Sequence, residues 1–294
     1  IRAALMAHNF FADLMYGRCP HSLFFARLNG RPFIYEVHDI PGNFMRKLLE
    51  NFLFHSYNFR KLVVISDALK SAYLKLFPNL KFSDIIVAHD GADVPDNVNH
   101  NSIGYFNIRS IPARKREIGY IGSLYEGKGA EIIPELAIIR PEYNFNIVGG
   151  SQKEINVLSR KSPKNVKFYG RVNPSNVFKI MRSFDILLLP AQQKVETQLG
   201  GNIAPYMSPL KMFEYMSSGR PIIASRLPVL LEVLKHEENA LIVDPTDING
   251  WVEGIDRIFN DIDLEIFISK NAFKDLQNLY SWKGRAQNII DASS

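Results

Sequence analysis

Short apolar runs alternate along nearly the whole chain with stretches whose apolar positions recur at helical spacing. Such runs suit strands buried on both faces, and their alternation with amphipathic helices marks βαβ units around parallel sheets. The pattern predicts an α/β protein. In the first part the strands fall at 13–18, 33–38, 61–65 and 84–88. From Gly91 to Arg116 the period lapses into a segment containing Asn, Pro and Gly, which reads as a linker between domains. After it the alternation restarts, with strands at 117–122, 144–149, 165–170, 185–190, 221–225 and 240–243. The second half is a complete Rossmann-like domain. Four strands are few for a doubly wound first domain, and that half opens inside an expected helix, Ala3–Phe11. Its leading strands are expected to be missing, and the absence of methionine at Ile1 is read as truncation.

Composition narrows this picture only a little. The 294 residues are 46% hydrophobic and 22% charged, which suits two folded domains and excludes a disordered chain. No apolar run nears the ~18 residues of a membrane span. A single cysteine, Cys19, offers neither a disulfide framework nor a zinc cluster and predicts a reducing compartment, the cytosol. The opening residues lack the basic, apolar and small-residue order of a signal peptide. The net charge of +5, from 35 basic and 30 acidic residues, suits an anionic ligand. The densest basic group, Arg114, Lys115 and Arg116, has no interleaved aromatics, so nucleic acid is not implied; it reads as a solvated linker, with peripheral contact to an anionic membrane face as the lesser alternative.

Two segments could carry chemistry. In EIGYIGSLYEGKG, Glu117 to Gly129, a strand runs into a glycine-rich turn and a helix expected to start near Gly127. Glycines let backbone approach an anion, helix-terminal N–H groups favour negative charge, and Lys128 adds a full cation. A plain strand-to-helix turn accounts equally well for the glycines. Gly122, Gly127 and Lys128 nearly spell a P-loop, but Gly129 stands where Ser or Thr must hold magnesium, so an NTPase is not supported. In SPLKMFEYMSSGRPIIAS, Ser208 to Ser225, Ser208 suits an N-cap, Pro209 the first helical position and Gly219 the left-handed residue after the helix. The spacing predicts a helix over 209–218 that packs Leu210, Phe213 and Met212 or Met216 inward and carries Lys211 and Glu214 on one side. A carboxylate there can bind two vicinal hydroxyls; a simple Lys211–Glu214 surface pair is the alternative.

The order GSLYEGKG, FYGRV (168–172), DILLLP, SPLKMFEYMSSGRPIIAS and NALIVDP (239–245) resembles the donor-binding domain of family 4 glycosyltransferases, the "group 1" type, over residues 115–294. YGRCPHSLFFARLNGRPFIYEVHD at 16–39, VISDALKSAYL and VAHDGADV resemble the same family's first domain. The resemblance implies a GT-B fold: two Rossmann-like domains with parallel sheets facing across a cleft, the first incomplete. Its expected extents are 1–113 for the acceptor-side domain with linker, 114–279 for the nucleotide-sugar domain, and 280–294 for a helix crossing back to the first domain. It implies retaining transfer of a hexose from a UDP- or GDP-sugar to a hydroxyl of a glycan or lipid-linked acceptor, as in surface polysaccharide biosynthesis. No metal, cofactor or covalent nucleophile is expected. Carried over by position, Lys128 contacts the donor diphosphate and acts in catalysis with His38, which faces the cleft near the transferred sugar. Gly122 and Ser123 belong to the first donor-binding turn, Gly170, Arg171 and Val172 approach the base, Pro209, Leu210 and Lys211 the phosphate or sugar, and Glu214 the ribose.

Two positions depart from that family. Many relatives carry Arg where this chain has Ser123, and a second Glu eight residues before Glu214, where this chain has Tyr206. The nucleotide contacts are therefore better supported than any sugar contact, for which Lys211, Glu196 or an amide of the polar loop 191–208 are the candidates. Asp261-x-Asp263 reads as a helix start, and His89, Asp90 and Asp93 as an interdomain turn. A nucleotide-binding pseudoenzyme or regulatory subunit of the same fold is the alternative of a different class.

Overall fold

A computed structural model describes residues 13–27, 30–95, 115–195 and 202–293. The expected helix at Ala3–Phe11, most of the linker including Arg114, and Glu196 lie outside the described residues. Among the described residues no helix is long and apolar enough to cross a membrane. Contacts divide the chain into two compact units. One gathers residues up to His89, Pro205–Ser208 and the chain from Lys283; the other holds Asp90–Ala204 and Pro209–Trp282.

The first unit runs β1 (Met15–Gly17), α1 (Pro20–Arg27), β2 (Phe33–Val37), α2 (Phe44–Phe54), β3 (Phe59–Val64), α3 (Asp67–Leu76) and β4 (Ile85–Val87). Its four strands form a parallel sheet in the order β1-β2-β3-β4. Every residue of β2 is buried, the charged Glu36 included, and Phe33, Tyr35, Leu62 and Val64 pack against Leu53, Leu69 and Tyr73 of the helices. Asn43 and Ser66 cap α2 and α3 by accepting from Arg46 N and Leu69 N. Buried Glu50 is held by the hydroxyls of Tyr35 (2.7 Å) and Tyr73 (3.1 Å) and by Arg46 Nε (2.8 Å), so its charge is paired within the core.

The second unit continues with β5 (Glu117–Ile121), α4 (Ile133–Ile139), β6 (Asn144–Val148), α5 (Gln152–Ser159), β7 (Val166–Gly170), α6 (Pro174–Ser183), β8 (Ile186–Leu189), α7 (Leu210–Ser217), β9 (Ile222–Ser225), α8 (Pro228–Leu231), β10 (Leu241–Val243), α9 (Ile248–Asn260) and α10 (Ile262–Asp275). A final helix, α11 (Trp282–Asp291), counts with the first unit from Lys283 onward. There Ile289 packs with Ile34, Val63 and Ala88. Among the described residues, all ten strands fall within two residues of the positions the apolar runs predict. Asp261 caps α10 by accepting from Leu264 N, the helix start read from D-x-D.

The second sheet is parallel, in the order β10-β9-β8-β5-β6-β7. The chain moves outward from β5 through β6 to β7, then returns to lay β8 on the other side of β5, so the order reverses between β5 and β8. In such sheets the ligand usually sits beside the carboxyl ends of the two strands at this reversal. The segments after β5 and after β8 therefore border the expected ligand position.

They lie backbone against backbone. Gly127 and Gly129 take left-handed φ values of 86° and 92°. A Cβ on Gly127 would fall 1.9 Å from the Lys194 carbonyl oxygen, and one on Gly129 would fall 1.9 Å from that of Pro190. Gln192 N also donates to Gly127 O at 2.8 Å. Gly129→Ala is thus expected to destabilise the second unit by at least the roughly 1–3 kcal/mol of a left-handed non-glycine residue, with the carbonyl clash added. Urea unfolding followed by tryptophan fluorescence checks this, and an unmoved midpoint would contradict the close approach.

Candidate functional site

The turn after β5 is built from within. Buried Tyr120 donates its hydroxyl to Ser123 O at 2.6 Å, tying the start of the turn to the strand beneath it. Gly122 N donates to Val148 O at 2.9 Å, continuing the β5–β6 ladder by one residue. The helix expected near Gly127 begins later: a 3₁₀ turn opens at Ala130 and α4 at Ile133. The amides expected to be free for an anion are also occupied. Glu131 takes Gly127 N on one carboxylate oxygen (3.1 Å) and Gly129 N on the other (3.0 Å). Left-handed glycines turn both N–H groups to one side, and an acid two residues on fills the concavity they make.

Lys128 sits between those two gripped amides. It is half-buried, and burial alone pulls its ammonium below the ordinary lysine range. Its ammonium makes no hydrogen bond or ion pair with any described residue. A half-desolvated cation without a carboxylate is costly in the empty protein and ready for an anionic group.

The second predicted segment forms α7, Leu210–Ser217. It starts one residue later than expected, with Pro209 at the N-cap and no side-chain cap, so Ser208 does not play the capping role. Leu210 is 48% exposed, against the expectation that it packs inward, whereas Met212, Phe213 and Met216 are buried. The reason is phase: 212, 213 and 216 share one face at helical spacing, and 210 points away from it. Gly219 has the expected left-handed φ of 68°. Lys211 and Glu214 pair with each other on the outward side, each about one-third exposed.

What locks α7 in place is Tyr215, which sequence reasoning passed over. Its fully buried hydroxyl accepts from Ile121 N (2.8 Å) and donates to Ile121 O (3.2 Å), the last residue of β5. It therefore fixes the helix bearing Lys211 and Glu214 to the strand that feeds the Lys128 turn. The only advance signal was an aromatic with a polar tip next to Glu214.

Gly170 ends β7 with a left-handed φ of 64°, and its carbonyl accepts from Gly149 N at 2.7 Å, so its peptide faces the β6 loop. Arg171 is exposed and Val172 half-buried, both open for contact. Tyr206, which stands where relatives have Glu, belongs to the first unit: it packs against that unit's core, and its carbonyl accepts from Ser66 Oγ at 3.0 Å. It is an anchor there.

His38, in the first unit, lines a cavity of about 350 Å3 with Arg18, His21, Asp39 and Arg46. Its Nε2 lies 2.5 Å from Oε1 of Glu36, a buried carboxylate that also accepts from the Tyr16 hydroxyl and pairs with Arg285 of α11 at 3.3 Å. Burial alone would raise the Glu36 carboxyl, but the His38 hydrogen bond and the Arg285 charge outweigh it and hold it below the usual range. The structure thus places Gly122, Ser123, Lys128, Gly170, Arg171, Val172, Pro209, Leu210, Lys211 and Glu214 in the second unit, and His38 in the first.

Glu131→Ala is expected to release the two glycine amides at a cost of about 1 kcal/mol, the scale of a lost helix cap. Amide hydrogen exchange resolves it locally. Gly127 and Gly129 should exchange faster in the variant while core amides of β5 keep their rates; unchanged exchange at both glycines would show that Glu131 does not hold the turn.

With this geometry in hand, comparison with known proteins is direct. The sequence profile described as "Glycosyl transferases group 1" matches residues 115–261, half of the chain. A protein of Methanocaldococcus jannaschii described as an uncharacterized glycosyltransferase is 25% identical over 247 residues, covering 80% of this chain and 60% of its own length. A D-inositol 3-phosphate glycosyltransferase of Corynebacterium jeikeium is 23% identical over 194 residues, 61% of this chain and 43% of its own length. The chain thus spans 60% and 43% of the length of these two relatives. Among solved structures, Anabaena HepE in complex with UDP superposes with a TM-score of 0.72 at 17% identity, covering 99% of this chain and 80% of that one. That likeness assigns the GT-B fold, and with the profile match and the glycine turn, Lys128 and α7 in their expected order, the chain belongs to the group 1 glycosyltransferases.

Proposed function

We propose that the chain carries the donor-binding and part of the acceptor-binding machinery of a retaining transferase, which moves a hexose from a UDP- or GDP-sugar to a hydroxyl of a glycan or lipid-linked acceptor. The observation that carries this reading is Lys128, half-buried, unpaired among the described residues and set between two braced glycines at the switch point of the sheet. A nucleoside diphosphate supplies the charge that this lysine lacks. Support comes also from relatives: HepE was solved with UDP and with UDP-glucose, and a relative in Bacillus subtilis is named for teichuronic acid biosynthesis.

In this reading Lys128 stabilises the negative charge that gathers on the diphosphate as the anomeric carbon–oxygen bond breaks. No metal or cofactor is needed for that step when a fixed cation supplies the charge. Retention without an enzyme nucleophile requires the acceptor oxygen to bond the anomeric carbon from the face the diphosphate leaves, and its proton passes to the departing phosphate oxygen. The peptides of Gly170 to Val172 lie against the base, Pro209 to Lys211 against phosphate or sugar, and Glu214 accepts from the ribose hydroxyls after exchanging Lys211 for them.

Lys128→Ala is expected to weaken UDP binding by about 1.5–3 kcal/mol, a charge-assisted contact. Because burial lowers the free lysine's pKa and a diphosphate raises it again, binding takes up a proton when the pH lies between those two values. Calorimetry in buffers of different ionisation heat, on the alkaline side, reads that uptake directly. Equal affinity in the variant, or no buffer dependence in the wild type, would remove Lys128 from the site.

Glu214→Ala separates the ribose from the phosphates: UDP affinity should fall by about 1.5–3 kcal/mol while pyrophosphate affinity holds. Equal losses for both ligands would reject the ribose contact.

A further inference from the structure

The first unit contains a charge network that no donor contact explains. Three side chains converge on one buried carboxylate. Glu36 is 5% exposed and accepts from the Tyr16 hydroxyl, from His38 Nε2 at 2.5 Å and from Arg285 Nη1 at 3.4 Å, with Arg285 Nη2 in ion-pair range at 3.3 Å. Arg285 is itself tied down, donating to His89 O (2.9 Å) and Ala88 O (3.2 Å) beyond β4. Its side chain is 11% exposed, so α11 delivers a fixed guanidinium to this point.

An ionised carboxylate can only accept hydrogen bonds, so the His38 nitrogen facing Glu36 must carry its hydrogen. In the neutral ring the other nitrogen, Nδ1, is then an acceptor. No described residue donates to Nδ1, and His38 lines the 350 Å3 cavity. The cavity's other carboxylate, Asp39, is held by Arg46 at 2.8 Å and does not compete for the ring.

We infer that Glu36, clamped by Arg285, is a positioning residue that fixes the tautomer of His38 so that Nδ1 accepts a hydrogen bond from a substrate hydroxyl in this cavity. The inference rests on the transferase reading for the identity of the substrate, but the tautomer stands independently of it. The hydroxyl belongs either to the transferred sugar or to the acceptor; both present the same O–H to the ring. A carboxylate that holds an imidazole through one nitrogen and leaves the other for a ligand is a common means of setting which ring atom does the work. Sequence carried the signal in a plain form, since Glu36 and His38 are two apart at the end of a strand and so share a face.

The test is made on the whole chain with Glu36→Leu, Glu36→Gln and Arg285→Ala. Two-bond proton–nitrogen spectra of the imidazole rings report the tautomer without reference to activity. Wild-type His38 is expected as the Nε2–H form. Glu36→Leu should mix the two tautomers, Glu36→Gln should keep the wild-type form because its amide oxygen still accepts, and Arg285→Ala should shift the His38 resonances without unfolding. In parallel, kcat for UDP-glucose hydrolysis should fall about tenfold in Glu36→Leu and be largely restored in Glu36→Gln if the hydroxyl is the sugar's. If it is the acceptor's, hydrolysis holds while transfer to glycerol falls. A wild-type His38 protonated at Nδ1, or spectra unchanged in Glu36→Leu, would overturn the inference. Failure of UDP to bind any of these proteins would instead count against the transferase reading and leave the tautomer result standing.

Discussion

The second unit depends on one close approach: the backbone of the turn after β5 lying directly on the carbonyls of Pro190 and Lys194 after β8. Parallel strands on either side of a switch point send their chains apart, and a crevice follows whether or not anything binds there. Here the approach closes part of that crevice with main chain, which only residues without a Cβ permit. Lys128, between the two glycines, is therefore displayed from a turn with little freedom. Tyr215 adds the second constraint, since its hydroxyl holds both the N–H and the carbonyl of Ile121. Strand, turn and helix α7 become one piece, which carries Lys128, Lys211 and Glu214, the residues proposed to meet the donor's diphosphate and ribose.

The fold was legible because both sheets are parallel and covered. Strands such as Ile186–Leu189 are buried on both faces, so they read as short apolar runs with sharp polar ends, whereas the edge strand Val166–Gly170 alternates between buried and exposed positions. Division into units was less legible. Pro205–Ser208 counts with the first unit although sequence neighbours on both sides count with the second, because Tyr206 packs into the first unit's core and bonds Ser66. Nothing in local periodicity reports a contact made 140 residues away in sequence. The same contact explains a departure from the family: an aromatic that anchors a core is not a substitute for a sugar-binding glutamate.

Site residues divide along similar lines. Glycines and Lys128 were visible because turn chemistry is local and their spacing is regular. Glu131 was hidden by its ordinariness, an acid at the start of a helix, and its role appears only once both glycine amides are seen to converge on it. It also changes the phosphate argument: the amides that a generic glycine loop offers to an anion are used internally, so the cation, not the helix terminus, is the charge this turn presents. The pairing of Glu36 with His38, two residues on, was legible, but its partners Tyr16 and Arg285 come from β1 and α11, at opposite ends of the chain.

Lys128 and Lys211 show why pairing decides which cation is poised for a ligand. Lys211 already has Glu214 as a partner, on a surface where each side chain is about one-third exposed. Such a pair contributes about 0–1 kcal/mol, so either member can be given up to a ligand at little cost. Lys128 has lost water to burial and received no carboxylate in return. A ligand phosphate restores what burial removed, and that difference acts only when the ligand is present. In the proposed reading the ion pair on α7 is accordingly a switchable surface contact, whereas the unpaired lysine is a deficit that a diphosphate would relieve and that departure of the sugar, by adding charge to the same phosphate, would relieve further.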